Sequence, residues 1–160
     1  MLTGQFTLRS GRVSDRYFDK YQFESDPKLL KAIAVEMTSL IPNGTEVLAG
    51  LELGGIPLVT LLSQITNLPA AFLRKTAKSY GTCKYAEGAE LRGKSIVLVE
   101  DVVSSGGAIL DAVTALRRDG MNPTVALCVI DRQTGGAESL RNNGLQLRSL
   151  FTMQQIEEAR

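Results

Sequence analysis

The chain has 160 residues, enough for one domain that buries roughly two-thirds of its unfolded surface around a single core. Its composition, 44% hydrophobic and 22% charged, excludes a disordered or fibrous chain. Eighteen Lys and Arg against 17 Asp and Glu leave a net charge of +1, so no global field favours nucleic acid or anionic lipid, and any anion binding has to be local.

After an extended start rich in Arg and Ser, Asp26 and Pro27 read as the N-cap and first residue of a helix, along which Leu29, Leu30, Ile33, Ala34, Met37, Leu40 and Ile41 recur at helical spacing. Pro42-Asn43-Gly44 ends it. Val47-Leu48-Ala49 then forms a short apolar strand that leads into the glycine-bearing segment 50–55, and a second helix is expected over 56–65. Beyond Asn67-Leu68-Pro69 a strand over 70–73 empties into a polar stretch, 74–93, that holds Gly81, Gly88 and Gly93. Ordinary loops run to about 4–6 residues, so this stretch is either functional or partly a hairpin. A mobile functional flap is the expectation.

Ile96-Val97-Leu98-Val99 is a continuous apolar strand, 100–107 a turn, and Ala108, Ile109, Ala112, Val113 and Leu116 the buried face of a helix. The pattern repeats with a strand over 125–130, a turn over 131–136, a short helix over 137–142 and a last strand over 145–151. Strands alternating with helices predict an α/β fold, a twisted parallel sheet wrapped on both sides, with ligands beyond the carboxyl ends of the strands. With no internal repeat or composition break, residues 1–160 form a single domain.

The absence of histidine removes His-ligated metal sites and Ser/His/Asp triads. Of the two cysteines, Cys128 lies in an apolar run and reads as core, whereas Cys83 lies in a polar, glycine-containing stretch without a histidine to activate it. This usage suits a reducing compartment. No charged-then-apolar leader occupies 1–10 and no apolar run approaches about 18 residues, so a cytoplasmic protein free of membrane is expected.

The chemistry concentrates in VLVEDVVSSGGAIL, residues 97–110. Here two carboxylates follow a buried strand, and a Ser-Ser-Gly-Gly turn opens a helix. Such a turn presents backbone N–H groups at the positive end of the helix dipole, Ser104 and Ser105 add hydroxyls, and Gly106 and Gly107 permit close approach, which makes a cradle for a phosphomonoester. Glu100 and Asp101 can accept hydrogen bonds from two vicinal ribose hydroxyls and support a Mg²⁺ that holds a diphosphate. Together these spell ribose 5-phosphate. No Gly-Lys-Ser/Thr follows, as a P-loop needs, and the acids precede the glycines, unlike a dinucleotide fingerprint.

This segment resembles the signature loop of type I phosphoribosyltransferases. FTLRSGRVSDRYFD (6–19), GLELGGIP (50–57), FLRKTAKSYG (72–81) and VIDRQTGG (129–136) occur in the order and at the spacing typical of orotate phosphoribosyltransferases, so the likeness spans nearly the whole chain. The resemblance implies a type I phosphoribosyltransferase-like fold with an N-terminal hood segment over about 1–25 and a flexible flap over about 74–93. The implied activity transfers the phosphoribosyl group of 5-phosphoribosyl 1-diphosphate (PRPP) to orotate with Mg²⁺. The implied active unit is a homodimer whose flaps reach across subunits.

Residue by residue, the resemblance gives Glu100 and Asp101 the ribose hydroxyls, with Mg²⁺ nearby and held mainly through PRPP. Residues Val102, Val103, Ser104, Ser105, Gly106, Gly107 and Ala108 form the phosphate loop, and Leu53 and Gly54 the diphosphate side. Arg74, Lys75, Lys78 and Tyr80 are the flap's contribution. Arg132 pairs with the orotate carboxylate, Ser104 and Arg9 reach the same base, and Tyr17 and Phe18 wall it. Several alternatives stay open: a surface ion pair from Arg132 to Asp131 or another acid, a solvated face for the flap cations, and an edge strand in which Tyr17, Asp19 and Tyr21 alternate with Phe18 and Phe23. The chain departs from the family's pattern at Tyr80, where a histidine is common, at Gly54, where a lysine often stands, and at Arg9, usually a lysine. Because the chain begins almost at the 6–10 motif, the amino-terminal helix that the resemblance implies is expected to be short or missing here. A phosphoribosyltransferase for another base and a non-catalytic sensor of PRPP are the rival readings.

Overall fold

The computed structural model describes residues 2–7, 13–17, 21–76 and 85–159. Its elements are strands β1 (Leu2–Thr7) and β2 (Val13–Tyr17), helices α1 (Tyr21–Ser25) and α2 (Pro27–Met37), β3 (Val47–Leu51), α3 (Gly55–Thr66), β4 (Ala70–Leu73), β5 (Ala86–Gly88), β6 (Ile96–Val103), α4 (Gly107–Arg118), β7 (Val125–Asp131), α5 (Gly136–Asn142), β8 (Gln146–Thr152) and α6 (Met153–Glu158). Arg9, Phe18, Lys78, Tyr80 and Cys83, all singled out in the sequence, lie outside the described residues.

Asp26 starts α2 as its sequence predicts. Its carboxylate accepts the Lys28 and Leu29 N–H groups at 2.9 and 3.1 Å, while Pro27, which lacks a donor, takes the first helical position. The buried stripe is Leu30, Ile33, Ala34 and Met37. Leu29, expected on that face, is 46% exposed, because adjacent helical residues point about 100° apart and only one of the Leu29-Leu30 pair can face the sheet. A 3₁₀ turn over Thr38–Leu40 then closes the helix before Ile41.

Six strands form the main sheet in the order β5-β4-β3-β6-β7-β8, and β1 pairs with β2 in a separate antiparallel ribbon. All neighbours from β4 to β8 are parallel. The expected all-parallel sheet is corrected at one edge, where β5 runs antiparallel to β4 with Phe72 opposite Glu87. An antiparallel return needs no crossover helix, so the far limb of 74–93 can double back as sheet edge.

Helices cover both faces. Ile109, Ala112, Val113 and Leu116 of α4 and Leu140 of α5 pack with Ala49, Leu98, Ala126 and Cys128; Phe23, Ile33, Met37, Leu58 and Leu62 from α1–α3 pack with Leu48, Val97, Val99, Leu127 and Val129 on the other side. Burial on both faces explains why the central strands read as unbroken apolar runs. Cys128 is wholly buried, and burial above all, with Asp131 and Glu100 nearby, pushes its thiol far above the ordinary range. It is a packing residue. No helix among the described residues is long and apolar enough to cross a membrane.

Two short helices were not expected. Tyr21 and Phe23 lie in α1, which excludes the alternating edge strand for that pair, and α6 follows β8. The latter carries a legible signal: Thr152 and Gln155 form a reciprocal capping box, and Met153 and Ile156 pack on the core.

Candidate active site

The sheet reverses its winding between β3 and β6. From β3 the chain passes through α3 outward to β4; from β6 it passes through α4 to β7 and through α5 to β8, in the other direction. At such a switch point the loops at the carboxyl ends of the two strands part and leave a crevice. Three loops meet there: 52–54 after β3, 104–106 after β6 and 132–135 after β7.

Strand β6 is longer than its apolar run. It continues through Glu100 and Asp101 to Val103, so the expected turn over 100–107 begins only at Ser104. Pairing with β7 carries the strand onward, Glu100 opposite Cys128 and Val102 opposite Ile130. The acids are therefore held by a central strand, with Glu100 8% and Asp101 0% exposed. Burying carboxylates is unfavourable unless they are engaged, so two in succession at a strand end mark a built site.

Asp101 Oδ1 accepts the Val102 N–H, and its other oxygen reaches toward the loop after β3. A Cβ on Gly54 would fall 1.6 Å from Asp101 Oδ2 and 2.8 Å from Glu24 Oε1 of α1. Gly54 is thus the residue that lets Asp101 occupy this place, and any side chain there, the lysine expected from the family pattern included, would displace the acid. Glu24 was not anticipated; only the fold brings α1 to β6.

Beyond Val103, Gly106 takes φ +79° as the N-cap of α4, and no side chain caps that helix. Its first-turn N–H groups point along the positive dipole end, beside Ser104 and Ser105. The Leu110 N–H closes the first helical bond to Gly106 at 3.0 Å. This open helix start has the backbone geometry that the expected phosphate cradle requires. A cleft of about 520 Å³ adjoins it, walled by Glu52, Arg74, Lys75, Tyr85, Ser105 and Gly107 among others. Of two larger depressions, one of about 760 Å³ shares Lys75, Tyr85 and Asp111 and runs outward along α4, and one of about 670 Å³ lies between α5 and the starts of β7 and β8. Glu100 and Asp101 line none of the three, and only the smallest reaches the cradle, through Ser105, Gly107 and Ala108, so size does not decide the site.

Arg74 enters the cleft wall already paired, its Nε 3.7 Å from the Glu87 carboxylate of β5. Lys75 is exposed, and Leu53 is 59% exposed at the crest of its loop. Tyr85, missed in the sequence, has its phenol pushed above the ordinary value by burial first and then by Asp111 and Glu52, so it stays a neutral donor. Val102 is partly buried, whereas Val103 packs in the core and its carbonyl accepts the Arg132 N–H at 2.8 Å. That bond ties the loop after β7 to the end of β6. Arg132 is exposed and, among the described residues, makes no ion pair; Asp131, the alternative partner, is 9% exposed and accepts the Gln133 N–H at 2.8 Å instead. Tyr17 ends β2 opposite Leu2, away in sequence from the rest.

No group of three or more metal-ligating side chains converges among the described residues. Two carboxylates beside a phosphate cradle nonetheless suit Mg²⁺, which is commonly bound by one or two carboxylates with phosphate oxygens and water.

A switch-point crevice with a strand-end acid pair and a glycine-opened helix defines a protein that grips a phosphorylated sugar, and a family model described as a phosphoribosyl transferase domain matches residues 22–148. An orotate phosphoribosyltransferase of a Nocardioides species is 50% identical, the match covering 99% of this chain and 89% of that one. One from Methanocella arvoryzae is 42% identical over 96% and 87%. A crystal structure of the Mycobacterium tuberculosis orotate phosphoribosyltransferase in complex with PRPP is 28% identical, with a TM-score of 0.81 over 95% of this chain and 89% of that one. The chain belongs to the orotate phosphoribosyltransferase family.

Proposed function

We propose that this chain transfers the phosphoribosyl group of PRPP to orotate, giving orotidine 5′-phosphate and diphosphate in pyrimidine nucleotide synthesis. The observation that carries the reading is the juxtaposition of the buried Glu100-Asp101 pair with the open amino end of α4 across Ser104 and Ser105. The backbone of 104–108 takes the 5-phosphate and the acid pair takes the ribose diol, which fixes the anomeric carbon over the crevice. Leu53, Gly54, Arg74, Lys75, Lys78 and Tyr80 face the diphosphate, and Arg132, Ser104, Arg9, Tyr17 and Phe18 hold the base.

Displacement at the anomeric carbon gives an oxocarbenium-like centre that the fixed carboxylates stabilise, while the flap cations take up charge on the departing diphosphate. Mg²⁺ held through PRPP beside Glu100 and Asp101 supplies further charge neutralisation when bound. No strong protein base is needed, since orotate attacks through a deprotonated ring nitrogen, which accords with a chain that contains no histidine.

The acceptor follows from the family and from Arg132, whose exposed guanidinium can meet both oxygens of a carboxylate. Purified protein with Mg²⁺ and PRPP is expected to consume orotate, followed by absorbance, but not uracil, hypoxanthine or adenine. Consumption of a purine in its place overturns the choice of base, and PRPP binding without turnover of any base overturns catalysis.

The active unit is a cytoplasmic homodimer in which Lys78 closes over the neighbour's PRPP. Lys78→Ala protein mixed with Asp101→Asn protein then regains activity that neither has alone, up to about a quarter of wild type if subunits pair at random and only hybrid dimers hold one intact site. Absence of recovery after subunit exchange places each site within one chain.

A further inference from the structure

Gln133 stands in a backbone conformation uncommon for its residue type. Its φ of +56° lies in the left-handed region, which is uncommon for a residue that is neither glycine nor asparagine and which points to a constraint imposed by the surroundings. Two bonds pin it from opposite sides. Its N–H donates to the buried Asp131 carboxylate at 2.8 Å, and its side-chain Oε1 accepts the Gln154 N–H at 3.1 Å. Gln154 is in the first turn of α6, where backbone donors have no partner within the helix. The turn itself is set by the Thr152-Gln155 capping box and by the packing of Met153 and Ile156, so it offers a fixed anchor.

Arg132 is the residue between these ties. Its own N–H is bonded to Val103 at 2.8 Å, and its guanidinium is exposed, with nothing on the side chain among the described residues to hold it. The loop that carries Arg132 is therefore fixed at the end of β6, at Asp131 and, through Gln133, at α6.

We infer that Gln133 is a positioning residue for the acceptor base: through the Gln154 N–H it docks the 132–135 loop on α6 and holds Arg132 ready for the substrate carboxylate. This rests on the assignment of Arg132 to that carboxylate. Holding the loop beforehand spares the ordering that binding would otherwise have to impose, so loss of the tie weakens the base and leaves the sugar phosphate alone.

The test measures KM for orotate, KM for PRPP and kcat in four variants. Gln133→Gly relieves the left-handed backbone while removing the acceptor. Gln154→Pro removes the donor in a helical turn that does not use it, with loss of the exposed Gln154 Nε2 bond to Glu158 at 2.8 Å, which lies away from the 132–135 loop. Each is expected to raise KM for orotate about three- to tenfold, the range for one neutral hydrogen bond, with KM for PRPP and kcat within about twofold. The double variant should be no worse than the poorer single one, since both break the same bond. A role in folding alone predicts otherwise: thermal stability would fall in the variants while KM for orotate stays unchanged. Orotate KM unchanged in both singles, or losses that multiply in the double, overturns the inference. Arg132→Ala, the fourth variant, separates the two levels: if it raises orotate KM while the Gln133 and Gln154 variants do not, only the positioning role falls, and if it too is silent, the assignment of Arg132 falls with it.

Discussion

Conversion of Glu100 to Gln together with Asp101 to Asn is expected to lower kcat about 10²- to 10³-fold, the loss typical when a preorganised electrostatic group is removed from an active site. Both replacements keep shape but exchange one acceptor oxygen for an NH2 donor, and the remaining amide oxygen of the Asp101→Asn side chain can still accept the Val102 N–H as the carboxylate does now. What disappears is negative charge, held at 8% and 0% exposure where water screens it poorly. If the two acids clasp one diol, as proposed, either single replacement should take most of the loss, and the double should fall well short of the product. Thermal unfolding should change little, since a neutral amide is less unfavourable to bury than a carboxylate. Steady-state kinetics with both substrates saturating, alongside an unfolding scan, makes the comparison. A fully folded double variant with wild-type kcat removes the acids from the mechanism.

Much of this site was legible because its parts are local. The strand, the acids, the Ser-Ser-Gly-Gly turn and the next helix fall within residues 96–118, and short-range rules fix each of them. The end of β6 was not legible: charge at Glu100 and Asp101 signals a strand end by composition, whereas hydrogen bonding to β7 carries the strand through to Val103. Residues joined only by the fold were also hidden. Glu24 approaches Asp101 across Gly54, Tyr85 reaches the cleft because β5 doubles back along β4, and Gln133 meets α6 because β8 lies beside β7 with Thr152 opposite Asp131. Gly54 illustrates the difference. In sequence it is a departure that removes a cation; in the structure it is the space that Asp101 occupies.

Arg132→Ala is expected to raise KM for orotate about 10- to 150-fold, the span given by a charge-assisted hydrogen bond worth about 1.5–3 kcal/mol. Its guanidinium is exposed and forms no ion pair among the described residues, so truncation breaks nothing that supports the fold, and KM for PRPP should stay within about twofold, as for a site whose two subsites are held by separate loops. Lysine at this position retains the charge but loses the planar fork that meets both carboxylate oxygens, and it should recover only part of the affinity. The informative comparison uses uracil, which is orotate without the carboxylate. If Arg132 reads that group, the variant loses discrimination between the two bases chiefly by losing orotate, while any slow reaction with uracil is untouched. Equal losses on both bases would instead make Arg132 a general support of the crevice, and recognition of the acceptor would then have to come from elsewhere, with Arg9, Tyr17 and Phe18 the remaining candidates.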